Sequence, residues 1–305
     1  MSSFQFSHQA PHCASIQGIA TSVQRRVYFY AVPDAGHQSG TTEKETGMAK
    51  RFVISDMDGV IYRGKTMIPG AADFVKRMLE SKTPFLFLTN NSEQTPIDLK
   101  RKLDALGIAG LSEANFITSA MATAEFLKSQ RPGGSVFVIG GAGLTNALYN
   151  AGFSINETSP DYVVVGKTKN YSFDLIKKAS RLISGGARFI ATNPDVVDPT
   201  EDGLEPACGS LLAPIELATG RKPYVVGKPN SLMMLIARKQ IGAHASETIM
   251  IGDRMDTDIV GGLEAGMTTC LVLSGVTTRE MIDTFPYRPD HIYDNIGEIR
   301  PELIE

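Results

Sequence analysis

Residues 52–60 read Phe52-Val53-Ile54-Ser55-Asp56-Met57-Asp58-Gly59-Val60, and the change from apolar to acidic inside that stretch decides how the chain is organised. A short apolar run that ends in carboxylates at i and i+2 reads as a buried strand opening onto a loop. At that opening Asp56 is placed to attack an electrophile while Asp58 handles protons. Gly59 allows the tight backbone turn by which both acids converge on one small ligand. Taken alone, Asp-Gly fits an ordinary turn equally well.

The same layout recurs along the chain. A second apolar run, 84–88, ends at Thr89-Asn90-Asn91-Ser92, so a strand again delivers polar groups at its end. Gly227-Lys228-Pro229 stands just before a helix expected over 232–239; its lysine suits a phosphate or a carboxylate nucleophile, and read alone it also suits a solvated surface. Met250-Ile251-Gly252-Asp253 is a further strand ending in an acid, continued by Arg254-Met255-Asp256-Thr257-Asp258. Clustered acids repel unless a cation or proton offsets them. Hard oxygen ligands with no neighbouring His or Cys favour Mg²⁺ over zinc. Asp256 is read as a helix-capping residue, since orphan amides near a helix start favour Asp.

Between these stretches, apolar runs alternate with helical periodicity. Helices are expected over 71–81, 96–106 and 120–128 and a strand at 116–118, with a short flap or hairpin over 62–69. Arg131-Pro132-Gly133-Gly134 breaks the pattern, which then restarts with strands at 136–139, 162–165 and 188–191 and helices at 144–151 and 173–184. The first style resumes beyond Arg221-Lys222-Pro223 with strands at 248–251 and 269–273. Strand–helix–strand alternation is what a parallel sheet needs, because its crossovers cover both faces. The fold class is therefore α/β: a Rossmann-like parallel-sheet core made of 48–131 and 222–305, with a smaller α/β domain, 132–221, inserted in it. Residues 1–47 lack periodicity and read as a disordered extension with a faint likeness to an organellar presequence.

A net charge of -3 on 305 residues gives no sign of a nucleic-acid polymer or an anionic membrane as partner. No segment reaches the 18 or so uninterrupted apolar residues of a membrane span. Cys13, Cys208 and Cys270 match neither a zinc spacing nor a disulfide framework, which points to a reducing, cytoplasmic setting. Phe153, Tyr162, Tyr171 and Phe189 are expected in the core rather than stacked on a ligand. Four strand ends on one rim thus offer a carboxylate pair, a hydroxyl with amides, a cation and an acid cluster, a set that suits phosphoryl transfer.

Asp56 to Val60, Thr89-Asn90-Asn91, Gly227 to Pro229, and Gly252-Asp253 with Thr257-Asp258 together resemble, in this order, the motifs of the haloacid dehalogenase-like superfamily. The likeness is to its class IIA phosphatases, of the NagD, 4-nitrophenylphosphatase and phosphoglycolate or pyridoxal phosphatase type, and runs from about 48 to 294. Thr192-Asn193-Pro194-Asp195 and Leu273-Ser274-Gly275-Val276 also resemble segments of these enzymes. The resemblance implies a class II cap in the inserted block. It also implies an aspartyl-phosphate on Asp56, with Asp58 as acid and then base. Phosphate contacts would come from Thr89, Asn90, Asn91 and Lys228, with Lys228 screening Asp56 from the phosphate and Asn91 serving either as phosphate-loop architecture or as a water contact. Mg²⁺ would sit against Asp56, the main-chain carbonyl of Asp58, and Asp253, with Asp258 in support. Asn193 and Asp195, with the loop 199–209, are the candidate cap contacts to substrate; that loop also reads as a plain solvated one.

The expected function is Mg²⁺-dependent hydrolysis of a small phosphomonoester, with nucleoside monophosphates favoured. Pyridoxal phosphate or phosphoglycolate hydrolysis is the enzymatic alternative, and a non-catalytic phosphometabolite sensor the alternative of another class. Self-association through the cap is compatible with this layout, although no patch for it is legible.

Overall fold

The computed structural model describes residues 51–200 and 203–304, and the extension expected over 1–47 lies outside them. The chain enters at β1 (Phe52–Ser55), makes the short pair β2 (Tyr62–Arg63) and β3 (Thr66–Met67), and continues through α1 (Ala71–Glu80), β4 (Phe85–Thr89), α2 (Pro96–Ala105), β5 (Phe116–Thr118) and α3 (Ser119–Gln130). A second run follows: β6 (Ser135–Ile139), α4 (Ala142–Asn150), β7 (Ser154–Ile155), β8 (Tyr162–Val165), α5 (Phe173–Ser184) and β9 (Arg188–Ala191). It goes on through β10 (Val197–Thr200), β11 (Gly203–Pro206), α6 (Cys208–Thr219) and β12 (Tyr224–Val225). The chain then returns with α7 (Ser231–Ile241), β13 (Thr248–Gly252), a π-helical turn (Met255–Ile259) leading into α8 (Val260–Glu264), β14 (Thr268–Val272), α9 (Arg279–Ile282), β15 (His291–Tyr293) and α10 (Pro301–Ile304).

Two parallel sheets result. The larger has the order β15-β14-β13-β1-β4-β5 and the smaller β12-β9-β8-β6-β7, so the smaller is inserted between β5 and β13. The architecture is a Rossmann-like α/β core carrying an inserted α/β cap. Every residue of β1, β4 and β13 is buried, as expected of central strands covered on both faces. One face of the larger sheet packs Val53, Phe87, Phe116 and Ile251 against α1 and α2. The other packs Ile54, Leu86, Leu88 and Met250 against Met233, Met234 and Ala237 of α7, and that apolar cluster runs on into Val136, Leu144 and Val164 of the cap.

Local sequence explains the helix ends. Thr95 and Asp98 form a reciprocal capping box with Pro96 in the first turn of α2, and Gly242 closes α7 with φ 66°. Phe153, Tyr162 and Phe189 are buried, and the half-buried Tyr171 donates its hydroxyl to the Leu211 carbonyl, so the aromatics belong to the core. No helix among the described residues is long and apolar enough to cross a membrane.

Candidate active site

Strands β4, β1 and β13 are adjacent and parallel, so the residues just beyond their ends share one rim. That rim holds Thr89, Asp56 and Asp253. Asp56 is 8% exposed and its N–H donates to the Ile251 carbonyl at 2.8 Å, which extends the sheet by one residue. Gly59 turns the chain with φ 79°, and a Cβ there would lie 2.5 Å from Asp253 Oδ2, so the left-handed turn and the close approach both require glycine. Ser274 Oγ donates to the Gly59 carbonyl at 2.7 Å, and Arg63 donates to the carbonyls of Ser274 and Gly275 at 2.7 and 2.8 Å. The turn after β1 is thereby tied to the loop after β14.

Lys228 is the electrostatic centre. Only 2% exposed, its Nζ lies 2.8 Å from Asp56 Oδ1 and 2.7 Å from Asp258 Oδ1. Its ammonium is held above the usual lysine range because the two carboxylates outweigh its burial. The π-helical turn carries Asp258 inward, fully buried, where its second oxygen accepts from Arg254 N–H at 3.2 Å. Burial, with the charge of Asp56 adding to it and Lys228 opposing, lifts the Asp258 carboxyl to about 6.

Asp253 completes the group. Its Oδ2 accepts from Val276 N–H at 2.7 Å, whereas its Oδ1 is buried with no hydrogen-bond partner among the described residues. Burial first, then the charges of Asp258 and Asp56, raise it well above the ordinary carboxylate range. One oxygen from each of Asp56, Asp253 and Asp258 lies within 4.8 Å of the others, and this cluster could hold a divalent metal ion. The orphaned Asp253 oxygen and the all-oxygen donor set fit a hard dication, since a buried acceptor without a partner is costly unless a cation satisfies it.

Asp58 stands outside this cluster and is exposed. Its carboxyl is raised, chiefly by partial desolvation, with Lys102 pulling it down and Asp198 pushing it up. Thr89 Oγ1 accepts from Asn91 N–H at 3.1 Å, which leaves its own hydrogen for another acceptor. Asn91 Oδ1 accepts from the N–H groups of Glu93 and Gln94 at 2.8 and 3.0 Å, so this side chain builds the loop. The Asn90 side chain binds Lys228 main chain and Asp195. Asn193 Nδ2 donates to the Asn90 carbonyl at 2.7 Å. The two cap candidates therefore meet the core directly.

Asp256 lies in the first turn of the helical segment that begins at Met255, where an acid near a helix start is expected, and it also accepts a two-point contact from Arg254 at 3.0 and 2.8 Å. Two residues at the mouth carry no mark in the motifs. Arg254 lies with Asp195, Pro194 and Val197 around a cavity of about 230 Å³, and its place directly after Asp253 is the one local signal for it. Lys167 gathers Asp198 at 2.6 Å, Glu205 at 3.7 Å and Glu93 of the core at 3.8 Å. Its partners lie far apart in the chain, so no local pattern marks it. The expected loop at 199–209 spans the end of β10, all of its antiparallel partner β11 and the start of α6, and Lys167 holds the two strands.

Comparison with known proteins agrees with this geometry. A family model described as haloacid dehalogenase-like hydrolase matches residues 53–154, and one described as HAD-hydrolase-like matches 225–299. The chain is 48% identical over 246 residues to the dihydroxyacetone phosphatase of Corynebacterium glutamicum (strain R), which covers 81% of this chain and 89% of that protein. It is 43% identical over 252 residues to the ribonucleotide monophosphatase NagD of Escherichia coli (strain K12), covering 83% and 99%. The solved structure of NagD from E. coli K-12 superposes with a TM-score of 0.78 at 42% identity, over 83% of this chain and 99% of that one.

Proposed function

This chain belongs to the haloacid dehalogenase-like hydrolases, as a phosphatase of the NagD-type class IIA, and from that premise we propose that it is a Mg²⁺-dependent phosphomonoesterase acting through an aspartyl-phosphate on Asp56. The observation that carries the proposal is the pairing of Asp56 with buried Lys228 beside an acid cluster that has an unsatisfied oxygen. Lys228 holds one oxygen of Asp56 and leaves the other outside that ion pair. A carboxylate oxygen of Asp56 attacks phosphorus as the bond to the ester oxygen breaks, and Asp58 gives its proton to that leaving oxygen. Water then attacks the phosphorus, Asp58 takes the water's proton, and the bond from phosphorus to Asp56 breaks to release phosphate. A carboxyl raised above its ordinary range suits the first proton transfer.

Thr89 donates its hydroxyl hydrogen to a phosphoryl oxygen, with the main chain of the 89–91 loop beside it. Asp56, the Asp58 carbonyl and Asp253 are the groups that would hold Mg²⁺, with Asp258 orienting Lys228 behind them. Bound there, the ion would neutralise charge on the transferring phosphoryl oxygens.

For the substrate, nucleoside monophosphates stand first, supported by similarity to a ribonucleotide monophosphatase and to the protein from Bacillus subtilis named 5'-nucleotidase YutF, 39% identical. A small sugar or triose phosphate is the second reading, favoured by 48% identity to a dihydroxyacetone phosphatase. The setting on this reading is a reducing cytosol, which the free, buried Cys208 and Cys270 support.

The test is phosphate release from nucleoside monophosphates, triose and sugar phosphates, pyridoxal phosphate and phosphoglycolate, with Mg²⁺ and with EDTA, for wild type and Asp56→Asn. Metal-dependent turnover by wild type and none by a folded Asp56→Asn is expected. Phosphate binding without turnover on any ester would make the chain a sensor.

A further inference from the structure

We propose that Asp195 is a positioning residue, which conveys the seating of the cap to Lys228 through the side-chain amide of Asn90. The proposal rests on the phosphatase reading and adds a coupling to it. Lys228 lies just beyond β12, on the segment that returns the chain from the cap sheet to the core. Gly227 N–H still donates to the Thr192 carbonyl of the cap at 2.8 Å. The main chain of the site lysine therefore rides on a cap-linked segment, and its place against Asp56 depends on a tie to the core.

Asn90, directly after core strand β4, supplies that tie. Its Oδ1 accepts from Lys228 N–H at 2.8 Å and its Nδ2 donates to the Lys228 carbonyl at 3.1 Å. The second donor contact of the same Nδ2 goes to Asp195 Oδ2 at 3.0 Å. An amide has two N–H donors, so both are engaged. A carboxylate can only accept; Asp195 thus reinforces the amide orientation that the Lys228 main chain requires, with nitrogen toward the cap and oxygen toward Lys228 N–H. With the orientation reversed, two donors would face each other at Lys228 and two acceptors at Asp195. Asn193 braces the cap loop in this position: its Oδ1 accepts from Asp195 N–H at 3.2 Å, and its Nδ2 donates to the Asn90 carbonyl at 2.7 Å. The other oxygen of Asp195 faces Arg254 at 4.0 Å, so both oxygens address the core.

A seated cap therefore locks the clamp that aims Lys228 between Asp56 and Asp258. A displaced cap removes one of the three hydrogen bonds that hold the Asn90 side-chain amide and loosens the clamp on the lysine. Because the effect reaches the reacting group and not the leaving group, it belongs to kcat and not to substrate choice.

The experiment is a double-mutant cycle on the full chain with Mg²⁺, reading kcat and KM for several phosphomonoesters with different leaving groups. Asp195→Ala is expected to lower kcat by about tenfold, equally for every ester and with KM little changed, the scale of loss that a misplaced reacting group produces. Asp195→Asn, which keeps an acceptor oxygen, is expected to stay within about twofold of wild type. In an Asn90→Ala background, Asp195→Ala should cost nothing more. Additive losses, losses that follow the leaving group, or an Asp195→Asn as impaired as Asp195→Ala would each overturn the proposal. If Asp195→Ala does not fold, Asp195→Ser, whose hydroxyl falls short of Asn90, takes its place in the cycle. Wild type inactive on all esters would overturn the phosphatase reading beneath it, whereas active wild type with an additive cycle overturns only the coupling.

Discussion

Lys228 shows how one side chain sets the state of a site. Two buried carboxylates, Asp56 and Asp258, share its ammonium at 2.8 and 2.7 Å, and each is tolerated in the interior because of it. Removing a partner from a buried ion pair leaves an uncompensated charge, which costs more than the pair itself contributes. Lys228→Met is therefore expected to abolish turnover and to lower stability by about 3–5 kcal/mol, seen as a fall in the urea midpoint. An unchanged midpoint would mean that water reaches the two acids and that the pair is not truly buried. Asp253 differs in kind: its Oδ1 has no hydrogen-bond partner among the described residues, which leaves an acceptor that a cation could satisfy. Asp256 combines two local roles, an acid in the first turn of a helical segment and the partner of the adjacent Arg254 guanidinium.

At the scale of the element, a widened helical turn and a two-stranded ribbon depend on single residues for their placement. The π-helical turn Met255–Ile259 closes with both Asp258 and Ile259 N–H donating to the Arg254 carbonyl at 3.1 Å, and this widened turn brings Asp258 inward. A Cβ on Gly252 would stand 2.1 Å from that of Asp258, so the strand end and the turn fit only with glycine there. The ribbon is the pair β10 and β11. Leu204 is 72% exposed, and a two-stranded ribbon with so little to bury is marginal by itself. Lys167 holds it by Asp198 and Glu205 while also facing Glu93 of the core. Lys167→Met is expected to speed cleavage by a Glu-specific protease within 197–206 by roughly fivefold, the factor that about 1 kcal/mol of local stability represents. Unaltered cleavage would show that backbone pairing alone retains the ribbon.

For the whole molecule, pH acts on the buried acid cluster, where a bound metal would act as well. Asp253 and Asp258 have folded-state values above the roughly 3.9 of an unfolded aspartate, Asp258 at about 6. The folded chain thus binds these protons more tightly than the unfolded one. Their contribution to stability is complete below about pH 4 and is lost as pH rises through the folded values. A dication binds the ionised acids, so its stabilising effect must grow over the same range. The rise in melting temperature on adding Mg²⁺ is accordingly expected to be larger near pH 7 than near pH 5, and equal rises would place the metal elsewhere. Sequence by itself determined the α/β class, the inserted cap and the four motif stretches. Those follow from apolar runs, punctuation and short motifs, which are local along the chain. Only the tertiary structure decided that Asn90 engages Lys228 and Asp195, that Lys167 gathers three distant acids, and that Asp253 keeps one oxygen without a partner among the described residues. Such contacts join residues far apart in sequence, and their energy comes from burial and from donor geometry, which exist only once the two sheets have packed together.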